Sequence, residues 1–375
     1  MKAFVTCVLL GAMSVAAWAG TTYYVATNGD DKSPGTSDLP FKTISHAADL
    51  VNPGDTVLVR NGVYADRDSN GWAVSLKRGG TAALPVLFKS ENKWGAVIDG
   101  QAGAGTFGWR IACSCVTVQD FEVKDFWSHG IFCESGEHIV IKGNHIHNIQ
   151  KPFDATPYGI DGCFERANCK SITYDSNVIH HIGRAGPLDH RQHDHGIYTC
   201  SSGARIVNNI IYDCDSGWCI QVTGYAAIDG TVISNNTFAW GGRHCQIVVW
   251  SEGASIISNL TIQNNIFYRP LNGEKAIEFY NAHARHTTIR NNLIYGGAPI
   301  CAVGAGEPDP EIFVSANIEG LDPRFVNAVK APYDFHLQPG SPAIGAGMAA
   351  LAPATDMDGK ARSQGKGNDI GAYER

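Results

Sequence analysis

Positive charge is scarce in this sequence. Lys and Arg number 29 against 36 Asp and Glu, a formal net charge of −7. A sequence-independent grip on nucleic acid needs a basic footprint, so nucleic acid is a poor partner, and any anionic ligand has to be met by local cations. Long apolar runs are missing too. Beyond residue 19 no segment has the length of a membrane-spanning helix. No two cysteines have the Cys-x-x-Cys spacing of a compact zinc module. Cys7 has no small-residue motif leading to it, which argues against a lipid anchor.

The first nineteen residues read as a signal peptide. Lys2 supplies the positive start, Phe4 to Met13 the apolar run, and Ala17-Trp18-Ala19 the cleavage site. The expected mature chain starts near Gly20, is secreted or periplasmic, and carries a charge of about −8 once Lys2 is gone. Ten cysteines then remain, from Cys113 to Cys301. An even count in an exported chain suggests disulfides, with Cys163 and Cys169 the most plausible local pair. Small buried apolar side chains are the alternative.

What the chain does have is a repeat. An alternating apolar run, an Asn and a second apolar pair recur from Ile141-Lys142-Gly143-Asn144 to Thr288-Ile289-Arg290-Asn291-Asn292. The last Asn of each copy falls at 144, 177, 209, 236, 265 and 292, in steps of 33, 32, 27, 29 and 27. Val116 to Val123 is a further copy with Phe121 in the Asn position. Such a period means a stacked architecture, and alternation of period two means strands. Each unit is too short to bury a face alone. The expected fold is all-β, a single-domain right-handed parallel β-helix, its hand following the chirality of parallel crossovers. Asn in the same turn of each coil tolerates left-handed backbone and can hydrogen-bond up and down the stack. Coils are expected from about 54 to 303 and a loop-rich closure from 304 to 375. Phe41 to Val51 has helical spacing and is expected to cap the open end of the solenoid.

The segment from Tyr23 to Tyr64 resembles the amino-terminal cap and first coil of secreted bacterial right-handed parallel β-helix proteins. These include polysaccharide lyases of the pectate and alginate type. The Asn repeats fit this group, as do Asp322-Pro323-Arg324-Phe325, Pro339-Gly340-Ser341-Pro342 and Asp369-Ile370-Gly371-Ala372-Tyr373-Glu374 in the tail. The resemblance implies a lyase, epimerase, hydrolase or non-catalytic protein, because a fold does not fix a reaction.

A second strand precedes each ladder strand. Aligning Gly159-Ile160-Asp161, Gly196-Ile197-Tyr198, Cys219-Ile220-Gln221 and Ala276-Ile277-Glu278 puts the Ile column inward. Asp161, Tyr198, Gln221 and Glu278 then form one outward row. The loops feeding this row are enlarged in two neighbouring coils, before Ile160 and before Ile197. Long loops on a rigid scaffold carry function. The larger holds Arg184, Asp189, His190, Arg191, His193, Asp194 and His195; the other holds Lys151, Asp154 and Tyr158.

A lyase or epimerase acting on a uronic acid must neutralise the carboxylate, remove the C5 proton and return a proton. Arg191 suits the first task, and His190, His193 or His195 the second. Tyr198 suits the third. Tyr158, Asp161, Asp194, Gln221, Glu278 and Arg184 are expected to contact substrate. Tyr158-Gly159-Ile160-Asp161 also resembles part of a stretch in mannuronan epimerases, with Gly162-Cys163 where those have Pro-His. A metal site on His193 and His195 with Asp189 or Asp194 is a second reading, and a structural role, with His129 and His195 capping an inward column, a third. Pectate-type lyases use clustered carboxylates for calcium; no tight Asp pair lies in the expected row, so calcium is unsupported and no cofactor is assigned.

The expectation is a monomeric lyase that cleaves an acidic polysaccharide by β-elimination. A glycoside hydrolase using Asp161 with Asp194 or Glu278 is the runner-up, beside a C5-epimerase and a non-catalytic carbohydrate-binding surface.

Overall fold

The computed structural model describes residues 20–101, 107–152, 159–185, 193–214, 217–242, 244–304, 311–362 and 367–375. The short alternating runs become strands that stack in register from coil to coil. Sheet A has eleven strands, from Thr22–Val25 to Ile312–Ser315. Sheet B has ten, from Gly62–Tyr64 to Ile318–Glu319, and sheet C ten, ending at Cys301–Val303. Within a coil the chain passes from C to A to B. Trp218–Gly224 leads to Val232–Ser234 and Thr237–Ala239, and the next coil opens at Ile247–Ser251. Every pairing in these sheets is parallel, for example Ile206 with Ile233 and Ile233 with Ile262. The result is a right-handed β-helix. Strands continue past 303, where Ile312–Ser315 and Ile318–Glu319 complete the coil that Cys301–Val303 opens.

Inward residues fill the bore. Trp109, Tyr174, Phe88, Phe121, Phe238 and Phe267 are all fully buried, and Phe238 stacks on Phe267 one coil away at 5.1 Å. The amino-terminal cap is a helix over Ile44–Leu50. Thr43 accepts a hydrogen bond from the His46 N–H at 3.2 Å, satisfying a donor that the first turn leaves open.

The Asn column sits at the A-to-B turn and is continuous. Asn144 Nδ2 donates to Asn177 Oδ1, Asn177 Nδ2 to Asn209 Oδ1, and so on through Asn236, Asn265 and Asn292 to Asn317, each at 2.9–3.1 Å. Each Oδ1 also accepts the backbone N–H of the Asn one coil before. The left-handed residue is the one before the ladder Asn: Ser176, Asn208, Asn235, Asn264 and Asn291 have φ of 51–59°. These outward Asn side chains hold the tail instead. Asn208 Nδ2 donates to Thr355 O, Asn235 Nδ2 to Asp369 O and Asn264 Nδ2 to Met348 O. The tail thus folds back over sheet B, where Phe325, Phe335, Leu337, Met357 and Ile370 pack on Ile210, Ile266 and Leu293 as a second apolar core.

Among the described residues no disulfide forms. None of the ten cysteines from Cys113 to Cys301 is bridged to another, against the expected Cys163–Cys169 pair. They serve as small apolar filling. Cys163 lies in register with Ile131 and Ile197, and Cys169 donates to Cys133 O. Burial pushes the Cys133, Cys163 and Cys245 thiols well above their ordinary range, so they are inert.

Candidate active site

The outer face of sheet C carries a cleft of about 830 Å³. Two outward rows build its floor. One runs Asp161, His195, Trp218, continuing back to His129 outside the lining; the other runs Phe164, Tyr198, Gln221, Val248, Glu278. His195 and Tyr198 both line the cleft though three residues apart, which strict alternation forbids. The strand changes face at Gly196, where an added Cβ would meet Cys219 O at 2.6 Å. Gly162 makes the same close approach to Gly196 O, at 2.7 Å.

This break corrects the expected row. Asp161 does not align with Tyr198 and Gln221. It pairs with His195, while Phe164 takes the place beside Tyr198. The matching phrases are Gly130-Ile131, Gly162-Cys163 and Gly196-Ile197, and Cys163 in an Ile column hid the true register.

Asp161 is the centre of the site. It is 1% exposed. Its Oδ1 lies 2.8 Å from His195 Nδ1 and its Oδ2 3.0 Å from His129 Nδ1, the latter off a good hydrogen-bond angle. Burial favours the neutral acid, but the two imidazoles outweigh it and hold the carboxyl below its ordinary range. His195 stacks on Trp218 at 5.5 Å, and its Nε2 has no hydrogen-bond partner among the described residues. A carboxylate on Nδ1 fixes the ring and its tautomer.

His193 stands exposed at the rim. Partial desolvation, then His195 and Arg184, hold it below the ordinary imidazole range. Tyr198 donates to Tyr225 Oη at 2.8 Å. Burial and then the Tyr225 contact raise its pKa, against a hydrogen bond to Thr223, so the phenol keeps its proton. Gln221 donates to Thr223 Oγ1 at 2.8 Å.

At the far end Lys275 Nζ lies 3.1 Å from Glu278 Oε1. Desolvation alone would lower the Lys275 pKa, but Glu278 outweighs it and the ammonium is retained. Tyr225, Trp250 and Tyr280 complete an aromatic wall.

Asp194 and Arg184 are absent from this lining. Both are buried, paired at 3.0 Å. Asp194 Oδ1 also accepts Ile160 N–H and Oδ2 accepts Arg184 N–H. These bonds tie together the strands that flank the loop, which uses up Asp194 as a ligand for substrate or metal. His190, Arg191 and Tyr158 lie outside the described residues, as do Asp154 and Asp189. The lining does not fit a calcium ion. Asp161 is held between two imidazoles and Glu278 by Lys275, and among the described residues no three carboxylates converge there.

Sequence reasoning missed Lys275, and it gave His129 only a structural role beside His195. His129 becomes visible once the Gly130, Gly162 and Gly196 phrases are aligned. Lys275 stands three residues before Glu278, within reach of the same face.

Residues 23–246 match the family described as "Pel9A-like, right handed beta helix region". The Bacillus subtilis (strain 168) protein YwoF is 32% identical over 149 residues, 36% of this chain and 31% of that protein. Pectate lyase PEL9 of Emericella nidulans is 30% identical over 83 residues, 22% of this chain and 19% of that protein. The chain therefore matches less than a third of either relative's length. The solved structure of pectate lyase Pel9A has a TM-score of 0.57 at 17% identity, covering 95% of this chain and 97% of the other.

Proposed function

Because the chain belongs to the Pel9A-like right-handed β-helix family, we propose that it is a polysaccharide lyase cleaving a uronic-acid-containing polysaccharide by β-elimination. The observation that carries this reading is the Asp161–His195 pair, whose imidazole lines the cleft with Nε2 free of a hydrogen-bond partner among the described residues. In the proposed step His195 Nε2 takes the C5 proton. The freed electron pair forms the C4–C5 double bond, and the C4–O bond breaks. Tyr198, which holds its proton, supplies it to the leaving oxygen. Lys275 neutralises the uronate carboxylate, whose charge makes the C5 proton removable. Tyr225, Trp250 and Tyr280 present flat faces on which sugar rings stack.

A hydrolase needs one carboxyl group that stays protonated to act as the acid. Asp161, whose carboxyl is held below its ordinary range between two imidazoles, is not suited to be that acid. The leader of residues 1–19 supports export, and a secreted product beginning at Gly20 would bear that out.

The test is a panel of uronic-acid polymers read by the ultraviolet absorbance of the unsaturated product. His195→Ala should lower the rate by roughly 10²–10⁴ with an unchanged fold. Asp161→Asn should lower it too, because the wrong tautomer is then favoured. Cleavage without the unsaturated product would replace this reading with the hydrolase. Full activity in His195→Ala would remove the assigned base.

A further inference from the structure

A second cluster of titratable groups lies on sheet B, away from the cleft. The strand His145–Pro152 puts His145 and His147 on one outward face, two residues apart. In the next coil His180 pairs in register with His147. The ligand atoms of His145, His147 and His180 all lie within 4.8 Å of one another, and they form the one such group among the described residues. His145 Nε2 is 2.8 Å from His180 Nε2. Three imidazole nitrogens around a tetrahedral zinc, each at about 2.0–2.1 Å, sit roughly 3.3 Å apart, so small side-chain adjustments reach that geometry.

The surroundings hold the rings as a metal site's outer groups do. Glu122 Oε1 is 3.1 Å from His147 Nε2. His180 Nδ1 contacts His181 Nδ1, and His181 Nε2 reaches toward Asp213 at 3.8 Å. That leaves His180 Nε2 aimed at His145. Tyr212 stacks on His180 at 4.6 Å and Trp94 packs against His145 at 4.7 Å, which fixes both ring planes.

We propose that His145, His147 and His180 bind one divalent transition ion of the zinc class, for which imidazole donors are suited. The ion ties two adjacent coils together. The two strands it joins, His145–Pro152 and Val178–Ala185, are those from which the two enlarged loops of the cleft depart. The ion is therefore a clip between the two strands that precede those loops, and it takes no part in the bond cleavage assigned to His195.

Equilibrium dialysis of the full chain against zinc chloride tests this. The expected result is one zinc per chain at micromolar or tighter affinity, with a raised melting temperature in zinc. His180→Ala and, separately, His147→Asn should each abolish the stoichiometric uptake and the thermal shift. His195→Ala should keep both, which separates this site from the cleft. If either sheet B variant lost its fold, circular dichroism of the zinc-free protein would reveal it, and the other variant would decide. Weak uptake at several sites, equal in wild type and both variants, would overturn the proposal.

Discussion

Replacing Asn236 by leucine tests the ladder at its middle. Asn236 Oδ1 accepts from Asn209 N–H at 2.9 Å and from Asn209 Nδ2 at 3.0 Å. Its Nδ2 donates to Ile206 O at 2.8 Å and to Asn265 Oδ1 at 3.0 Å. Leucine fills a similar space but makes none of these bonds. Asn209 Nδ2 keeps Tyr174 O and Val207 O, so it is not orphaned. Asn209 N–H loses its partner, and Ile206 O loses its side-chain donor. A buried group left unsatisfied costs about 1–3 kcal/mol and each lost hydrogen bond about 0.5–1.5 kcal/mol, giving roughly 2–5 kcal/mol in all. Urea unfolding followed by circular dichroism measures it, with Asn70→Ala in an exposed turn as the control. The cleft lies on sheet C and the ladder at the A-to-B turn, so cleavage per folded molecule should be unchanged. A shift no larger than the control's, within about 0.5 kcal/mol, would refute the reasoning that these side chains hold the coils together.

Burial pushes the Glu165 carboxyl up to about 7, against opposing contacts from Ser201, Thr199 and the Cys200 backbone. Its folded pKa exceeds the unfolded one, so the native state holds the extra proton and stability falls as pH rises from about 4.5 to 7, by roughly 3 kcal/mol. Glu165→Gln should flatten that fall, and an unaltered pH profile would show that Glu165 is not its source. A thiol reagent without reductant should titrate all ten cysteines from Cys113 to Cys301 after denaturation; a shortfall of two would reveal a disulfide. Before denaturation the partly buried Cys113 and Cys301 should react first. Lys275→Met should depress turnover of a uronate polymer much more than that of its methyl ester, and equal losses on both would remove its role as carboxylate partner.

The repeat was legible because each Asn sits in a turn where backbone and side-chain bonding both demand it, so spacing alone revealed the coils. The cleft was half legible. Tyr198, Gln221 and Glu278 share a row because an unbroken inward Ile column marks their register. Asp161 was misplaced by one residue type: Cys163 fills an Ile position, and Ile160 offered a false match three residues earlier. Arg184 and Asp194 looked like substrate ligands because charge in a long loop is usually solvated. No pattern in one chain announces that two such residues, ten apart, will be buried against each other. The cysteine count suggested pairing because composition cannot distinguish a cross-link from a methyl-sized plug in a packed column.

The returning tail has a consequence for how the molecule is completed. Arg362 reaches Asn208 across 154 residues of chain, and Phe325, Phe335 and Ile370 cover apolar side chains of four coils that formed long before them in synthesis. Coils can wind one upon the next as they emerge, but sheet B keeps a greasy stripe until Phe325 to Ala372 arrive. Docking of this tail thus seals that flank. A chain stopped short of it would carry every cleft residue named above and still present a sticky flank to its neighbours, so premature termination should show first as aggregation and only second as lost chemistry.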